Sequence, residues 1–257
     1  MHLSGFLQGM CPCVMEILLI AFGLVLAASA PAYSLAVKDT IPDDSVSGRV
    51  QISNMGFAPV PAFSFNSPIV IGFLSVKKKR FNFEPDAAVG LNGKPWMTNN
   101  WFRYTLSERK NRKATLGVNP SLFFKNETLS PGEAIVLAHR NMTLEAAVES
   151  TLFGGRLWFT YTNIRAFDKG MLSGNFLDVS GRFTIASIRE KLVANFTPQV
   201  FYFNFDGKVD GLFASSTIRI EHVKLPLSFY TQGVLPIWSN FPGNRFKWNF
   251  GVFMTFK

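Results

Sequence analysis

Charged residues are scarce in this chain. Only 17% of its 257 residues are charged, whereas 47% are hydrophobic and 27 of them are phenylalanine. A water-soluble domain normally carries about 25% charged residues. The deficit indicates that part of the surface is solvated by lipid, since a surface covered by water needs more charge.

Cysteine and histidine are also rare. Both cysteines, Cys11 and Cys13, precede an apolar run at residues 17–28, so a chain cleaved after that run has no thiol, disulfide or cysteine metal site. His139 and His222 are the two histidines beyond it, and the alternation around each predicts that it projects to the apolar face at a strand end. A contact with lipid headgroups is expected there, and we expect no metal, cofactor or catalytic residue.

The N-terminal segment is typical of a secretory signal peptide. The apolar run ends in small residues, and Ala30-Pro31-Ala32 predicts cleavage before Tyr33. Ala28-Ser29-Ala30 is an alternative site, an uncleaved anchor is another possibility, and the absence of lysine and arginine before the run leaves Met10 and Met15 open as start sites. The predicted organisation is a signal peptide at 1–32, a short extension at 33–45 and one domain at 46–257.

Residues 246–256 alternate strictly between apolar and mostly polar positions. The even positions are Phe246, Trp248, Phe250, Val252, Met254 and Phe256, and only Phe253 is large and apolar among the odd ones. Successive side chains of a strand point to opposite faces, and about 9–11 residues suffice to cross a bilayer as a tilted strand. This pattern is typical of the closing strand of an outer-membrane barrel, and it identifies Trp248, Phe250 and Phe256 as the closing-strand signal.

The same alternation recurs upstream, and no segment after residue 34 has a helical period. Separate strands are predicted from Glu133 to Arg140 and from Thr143 to Glu149, and Asp206-Gly207 with Asp210-Gly211 predicts a hairpin. The count is about 12, with 10 equally defensible and 8 if some pairs are continuous. The sequence therefore predicts an all-β fold, a closed antiparallel transmembrane β-barrel of about 10–12 strands.

A soluble β-sandwich or lipocalin-like barrel would also alternate. The number of aromatic residues favours a membrane barrel, because a small soluble interior cannot hold so many large side chains. In a membrane barrel they face lipid and form girdles at the two interfaces. The predicted interface aromatics are Trp96, Trp101, Trp158, Trp238 and Trp248.

A second set of residues is charged and alternates with the apolar residues along the strands, so it lies on the opposite face. It predicts a charge network in the lumen, made of Arg103, Glu145, Glu149, Arg182, Arg219 and Glu221. Glu145 and Glu149, with Asp168 and Asp178, could instead be catalytic acids, but opposite charges facing one another in a narrow barrel are expected to neutralise each other. We expect these pairs to fill the lumen.

Several segments resemble a family of uncharacterised outer-membrane β-barrel proteins of Bacteroidota. The resemblance covers most of residues 46–256 and includes Phe81-Asn82-Phe83-Glu84-Pro85, Trp101-Phe102-Arg103-Tyr104, Gly117-Val118-Asn119-Pro120, Thr197-Pro198-Gln199 and Asp210-Gly211-Leu212-Phe213. It implies an integral barrel and supplies no activity or catalytic residues.

The expected function is that of a monomeric, non-enzymatic barrel of the bacterial outer membrane with a structural or narrow-transport role. The alternatives are a lipid-modifying enzyme embedded in the barrel and an open small-solute porin. The expected partners are membrane lipid and the outer-membrane assembly machinery. Nucleic acid is not expected, because the cations behind the net charge of +9 are scattered along the chain.

Overall fold

The computed structural model describes residues 44–57, 64–130, 133–188, 191–241 and 245–256. The predicted signal peptide and most of the predicted extension lie outside these residues. Within them, no helix has the length and apolar character needed to cross a bilayer.

The described chain forms twelve antiparallel strands that close into one barrel. Each strand pairs with its neighbours in sequence, and β1 pairs with β12. The predicted fold is confirmed, with the larger of the expected strand counts. The strands are β1 Asp44–Ser53, β2 Ile69–Lys78, β3 Phe81–Gly90, β4 Pro95–Arg109, β5 Arg112–Ser130, β6 Glu133–Leu152, β7 Gly155–Ala166, β8 Gly174–Ile188, β9 Leu192–Phe205, β10 Val209–His222, β11 Leu227–Ser239 and β12 Lys247–Phe256.

The two ends of the barrel have different connections. β1 begins and β12 ends at one end, where the strands are joined by the short segments 79–80, 110–111, 153–154, 189–191 and 223–226. We call this the turn end. The opposite end, the loop end, has the longer connections 54–68, 167–173 and 240–246. In bacterial outer-membrane barrels the short turns face the periplasm and the longer loops face outwards.

Turn chemistry explains where several strands stop. Gly93 has φ 77° between β3 and β4, and Asp206 and Gly207 have φ 50° and 66° between β9 and β10, as tight turns require. The second predicted Asx-Gly pair, Asp210-Gly211, already belongs to β10. The two strands predicted between Glu133 and Glu149 are one continuous strand, β6, because the alternation passes through Asn141 without a turn.

The two faces of the sheet have opposite polarity. Even positions of β12 face outwards, with Trp248 53% and Phe250 51% exposed, whereas Asn249 is only 2% exposed and faces the lumen. The other strands follow the same rule, since residues directly opposite in an antiparallel pair share a face. An outward apolar face around a polar interior is the reverse of a soluble barrel, and it fits a lipid solvent.

Aromatic side chains also fill part of the lumen. A cluster of Phe201, Phe203, Phe205, Phe213 and Val234, which we call the aromatic plug, is buried at the loop-end halves of β9, β10 and β11. Phe57, Leu172 and Phe241 from three loops pack against it. The expectation that aromatic residues face lipid is therefore wrong for these strands. Their stacking, with ring centroids about 5 Å apart, adds to their burial energy.

A smaller apolar cluster lies on the other side of the same end. Ile69 and Ile71 of β2, Ala88 of β3 and Trp96 of β4 are buried together, and Phe65 of the first loop packs on them. The loop end of the lumen is thus lined by apolar side chains. The polar and charged residues of the interior lie nearer the turn end.

Candidate functional site in the lumen

The best-defined charged group in the lumen centres on Arg103 of β4. Its guanidinium binds Glu145 of β6 through two hydrogen bonds, Nε to Oε1 at 2.7 Å and Nη2 to Oε2 at 3.0 Å, and Nη1 pairs with Glu84 of β3. Gly117 lies opposite both Arg103 and Glu145 in the intervening strand β5. Because this glycine has no side chain, Arg103 can reach across it.

The other predicted charges form separate pairs. Arg219 pairs with Glu221 two residues further along β10, and Glu149 lies 3.6 Å from Arg156 of β7. All six predicted residues lie on the lumen face by their pairing registers. They do not form one network, however, and sequence reasoning missed three of the partners or neighbours, namely Glu84, Asp86 and Arg156.

Two lumen arginines have aromatic neighbours and no carboxylate partner within the described part of the chain. Arg182 has its guanidinium carbon 5.7 Å from the centroid of the Trp158 ring. Arg49, also missed from the sequence, has its guanidinium carbon 3.9 Å from the centroid of Phe73 and 5.3 Å from that of Phe253. Arg219 lies 4.0 Å from the same Phe253 ring. The position of Arg49 depends on closure of the barrel, because this residue lies opposite Phe73 in β2 and Thr255 in β12.

Aspartate, amide and hydroxyl side chains complete the interior. Asp86 accepts a hydrogen bond from Asn99 Nδ2 at 2.9 Å, and Asn119 Nδ2 donates to Asn99 Oδ1 at 3.1 Å. Asp178, which the sequence offered only as an alternative catalytic acid, accepts from Gln199 Nε2 at 2.7 Å and from Ser180 at 3.2 Å. These bonds satisfy buried polar atoms, which is their ordinary role in an interior.

A cavity of about 460 Å³ lies in the charged part of the lumen. It is lined by charged side chains and by hydroxyl groups, among them Arg49, Arg103, Arg219, Glu84, Asp86, Ser47, Ser75 and Thr255. Phe73 and Trp101 form aromatic walls. A chamber of this size, with converging polar groups between apolar walls, suits a small molecule.

The predicted interface aromatics divide into two groups. Trp238 and Trp248 lie on the outer face and are exposed by 46% and 53%. The prediction is wrong for Trp96, Trp101 and Trp158, which face the lumen. Trp96 packs in the smaller apolar cluster, Trp101 lies 4.2 Å beneath the guanidinium of Arg103, and Trp158 lies beside Arg182. Alternation places a residue on one of two faces, but it does not say which face is outside.

The two histidines lie in different settings. His139 lies on the lumen face, because it belongs to the same continuous strand as Glu145 and shares its parity, so its prediction on the apolar outer face is wrong. Nδ1 of His222 accepts hydrogen bonds from the backbone N–H groups of Lys224 and Leu225 at 3.1 and 3.0 Å, which caps the turn between β10 and β11. No group of three or more potential metal ligands occurs among the described residues.

Asp168, another proposed acid, lies in the loop between β7 and β8. It accepts a hydrogen bond from the backbone N–H of Arg140 at 2.5 Å and pairs with the Arg140 guanidinium at 2.7 Å. The side-chain hydrogen bond from Arg140 is the main cause that lowers the pKa of Asp168. This pair ties a loop to the rim and lies away from the other predicted acids.

No family model matches this chain. The search of curated proteins likewise gives no significant match. Solved structures do match, among them an outer-membrane channel from Pseudomonas putida F1, with 12% identity, a TM-score of 0.51 and coverage of 88% of this chain and all of that one.

Two further matches are more distant. The KdgM porin, solved in complex with disordered oligogalacturonate, has 7% identity, a TM-score of 0.47 and coverage of 82% of this chain and 99% of that one. OmpT of Vibrio cholerae has 9% identity, a TM-score of 0.43 and coverage of 83% and 97%. The likeness to the Pseudomonas putida channel concerns the fold alone. That fold and the apolar outer face are those of an integral outer-membrane β-barrel.

Proposed function

We propose that this outer-membrane β-barrel provides a restricted passage for small polar solutes and is neither an open pore nor an enzyme. The observation that carries the proposal is the two-part lumen. A polar chamber occupies the part nearer the turn end, and the aromatic plug occupies the loop end. A solute crossing the barrel would meet both.

The plug argues against an open porin. Phe203 and Phe213 are completely buried and Phe201 is 1% exposed, so no water-filled channel runs past these three side chains. Twelve strands also enclose a narrower lumen than the 16–18 strands of porins with an aqueous channel. Flux of small solutes is therefore expected to be slow and limited by side-chain movement at the plug.

A lipid-modifying enzyme is less well supported. Such an enzyme needs a base within hydrogen-bond reach of a nucleophile, or two acids facing a substrate. Nδ1 of His222 is occupied by two backbone N–H groups, and Glu145 is bound by Arg103. Among the described residues, Arg103, Arg156 and Arg219 of the lumen pair with carboxylates. The Asp178 carboxylate accepts from the Ser180 hydroxyl but also from Gln199, so it is held as part of a hydrogen-bonded interior.

The proposal extends to the setting of the protein. Its partners would be membrane lipid on the outer apolar face and the assembly machinery, which would read the closing strand at Trp248, Phe250 and Phe256. The barrel would act as a monomer without nucleic acid or cofactor. Membership of the Bacteroidota family named above stays a prediction.

Conductance in planar bilayers tests the proposed function. We expect the wild type to give small, intermittent currents, and Phe203→Ala with Phe213→Ala to raise them because the variant empties the plug. A matched control is Phe229→Ala, which removes an outward phenylalanine that is 52% exposed. Arg103→Ala with Arg219→Ala tests the expectation that charge pairs fill the lumen, and we expect a smaller rise than in the plug variant because the plug remains.

Three outcomes would contradict the proposal. A large, steady wild-type current would mean an open porin. No current and no solute uptake by vesicles, even after the plug is emptied, would leave only a structural role. Release of a fatty acid or transfer of an acyl group from added lipid would point to the enzyme.

A further inference from the structure

We propose that the chamber beside Arg49 and Arg219 is a binding site for a small oxyanion, such as phosphate or a simple carboxylate. The proposal deepens the restricted-passage function and rests on it, since it names the class of solute that the lumen would hold. It starts from Arg49, which forms no direct ion pair and whose Nε atom has no hydrogen-bond partner among the described residues.

Arg49 lies at the middle of β1 and faces the lumen. Its Nε atom is buried and has no hydrogen-bond partner among the described residues. The guanidinium stacks on Phe73, which favours the cation but accepts no ordinary hydrogen bond. A guanidinium carries five N–H donors, and leaving a buried donor unsatisfied costs free energy. A ligand with acceptor oxygens would remove that cost.

The carboxylates near Arg49 have other partners. Glu84 and Glu145 bind Arg103, and Glu221 binds Arg219. Asp86 accepts a hydrogen bond from Asn99. The Arg49 cation therefore forms no direct ion pair, although Asp86 attracts it through space. A bound anion would add the acceptor oxygens that Asp86 does not bring within hydrogen-bond distance.

A second guanidinium is close to the first. Arg49 and Arg219 both lie against the Phe253 ring, with their guanidinium carbons 5.3 and 4.0 Å from its centroid. Both line the cavity of about 460 Å³, together with the hydroxyl groups of Ser47, Ser75 and Thr255. Two guanidinium groups with neighbouring hydroxyls supply the planar forks and O–H donors that carboxylate and phosphate oxygens accept.

The same cavity also sets a limit on the ligand. Glu84 and Asp86 line it as well, so a large polyanion would meet their negative charge. We expect a small oxyanion to contact the side formed by Arg49 and Arg219 and to meet less of that negative charge than a polyanion would. We therefore expect a preference for compact anions with one or two charges over longer polyanions.

Isothermal titration of the full-length protein in detergent micelles tests the site, with sodium phosphate and sodium acetate as probes and sodium chloride at equal ionic strength as reference. We expect saturable binding of at least one oxyanion. Arg49→Gln should weaken it at least tenfold, and Arg49→Lys should weaken it less, because lysine keeps the charge but not the fork. Arg140→Gln at the outer rim should have no effect, and circular dichroism and gel mobility would show that each variant is folded.

The proposal is overturned if neither oxyanion binds saturably, or if folded Arg49→Gln binds as well as the wild type. If Arg49→Gln does not fold, Arg49→Lys and Arg219→Lys take its place. The proposal is then overturned if both variants bind the oxyanion as tightly as the wild type. Binding without any flux would refute the restricted passage and leave the site in place. Flux without binding would refute the site alone.

Discussion

Arg103 and Glu145 form a two-point ion pair across an intervening strand, with Nε–Oε1 and Nη2–Oε2 distances of 2.7 and 3.0 Å. Gly117 lies between them, and a Cβ atom at that glycine would be 3.2 Å from Glu145 Oε1 and 3.3 Å from Arg103 Cγ. A glycine, an arginine and a glutamate on three adjacent strands therefore form one unit. The side chain of Glu145 is 9% exposed and that of Arg103 is 26% exposed, so the pair is largely but not fully shielded from water.

Loss of Arg103 should destabilise the barrel strongly. Arg103→Met leaves Glu84 and Glu145 without their cation. We expect the free energy of unfolding to fall by about 2–4 kcal/mol, because removing one partner of a buried pair leaves the other charge buried and unpaired. Arg103→Met with Glu145→Met should recover part of this loss. Urea unfolding in phospholipid vesicles gives the values. Strict additivity of the two single variants would contradict the pairing.

Two glycines of the sheet should respond in opposite ways to valine. Gly117→Val crowds the Arg103–Glu145 pair and should cost about 1–3 kcal/mol, as overpacking does. Gly72→Val on the outer face has nothing within 4 Å of its new Cβ, so it should be neutral or stabilising. The same unfolding assay compares them. Equal effects would mean that the space around Gly117 is not used by the pair.

The tryptophans should report which residues touch lipid. In five variants that each keep a single tryptophan, brominated phospholipids should quench Trp238 and Trp248, which are exposed on the outer face. Trp96, Trp101 and Trp158 should be quenched little, because bromine atoms on acyl chains cannot reach the lumen. Strong quenching of Trp101 or Trp158 would show that the two faces of β4 or β7 are reversed.

A charge on the outer face should be costly near the middle of a strand. Val252 lies in the middle of β12, opposite Ile52 and Phe229 on the neighbouring strands. Val252→Arg should cost about 2–4 kcal/mol, as arginine does on the lipid face at the bilayer midplane. Val252→Leu is the matched control and should change little. Refolding titrations in vesicles measure both, and a similar stability for the two variants would argue that lipid does not contact this face.

The Asp168–Arg140 pair should give the loop between β7 and β8 a pH dependence. Hydrogen bonds from Arg140 lower the pKa of Asp168, so the carboxylate form is favoured in the folded barrel. The pair is therefore fully formed above the ordinary aspartate pKa of about 3.9, and it is lost as the pH falls through the lower folded value. Carbon-13 NMR of the carboxyl group should place its midpoint below that of a model aspartate.

The Arg140→Gln variant is the control for this titration. Its Asp168 midpoint should move back towards the ordinary aspartate value, though not the whole way, because the backbone N–H at residue 140 still donates to Oδ2. An unchanged midpoint in the variant would show that the guanidinium does not bind the carboxylate in solution.

The architecture could be predicted from the sequence because its main signal is local. Alternation along a strand has a period of two, and all even positions of β12 are apolar. That pattern, the lack of charge and the turn residues between strands were sufficient for a closed antiparallel barrel. The lumen face of Arg103, Glu145 and Arg219 could be predicted for the same reason, since each shares its parity with polar neighbours.

Tertiary structure decided whether each aromatic residue faces the lumen or the lipid. Phe201, Phe203 and Phe205 alternate as regularly as the outward residues of β12, but they lie inside the barrel. Asp178 and Ser215 of the neighbouring strands lie opposite residues on this same face of β9, and these two polar side chains must be kept from lipid. Trp96, Trp101 and Trp158 face inwards for similar reasons. The period of two cannot show which face of a strand is outside the barrel when both faces carry apolar residues.

Contacts between strands distant in sequence were also beyond local reasoning. The sequence by itself determined a membrane barrel with a charged interior, because alternation and composition are properties of short segments. Closure of β1 on β12 decided that Arg49 lies against the Phe253 ring that Arg219 also contacts, and the absence of a side chain at Gly117 decided that Arg103 meets Glu145. Such partners depend on register and on the curvature of the closed sheet, which are set by all twelve strands together.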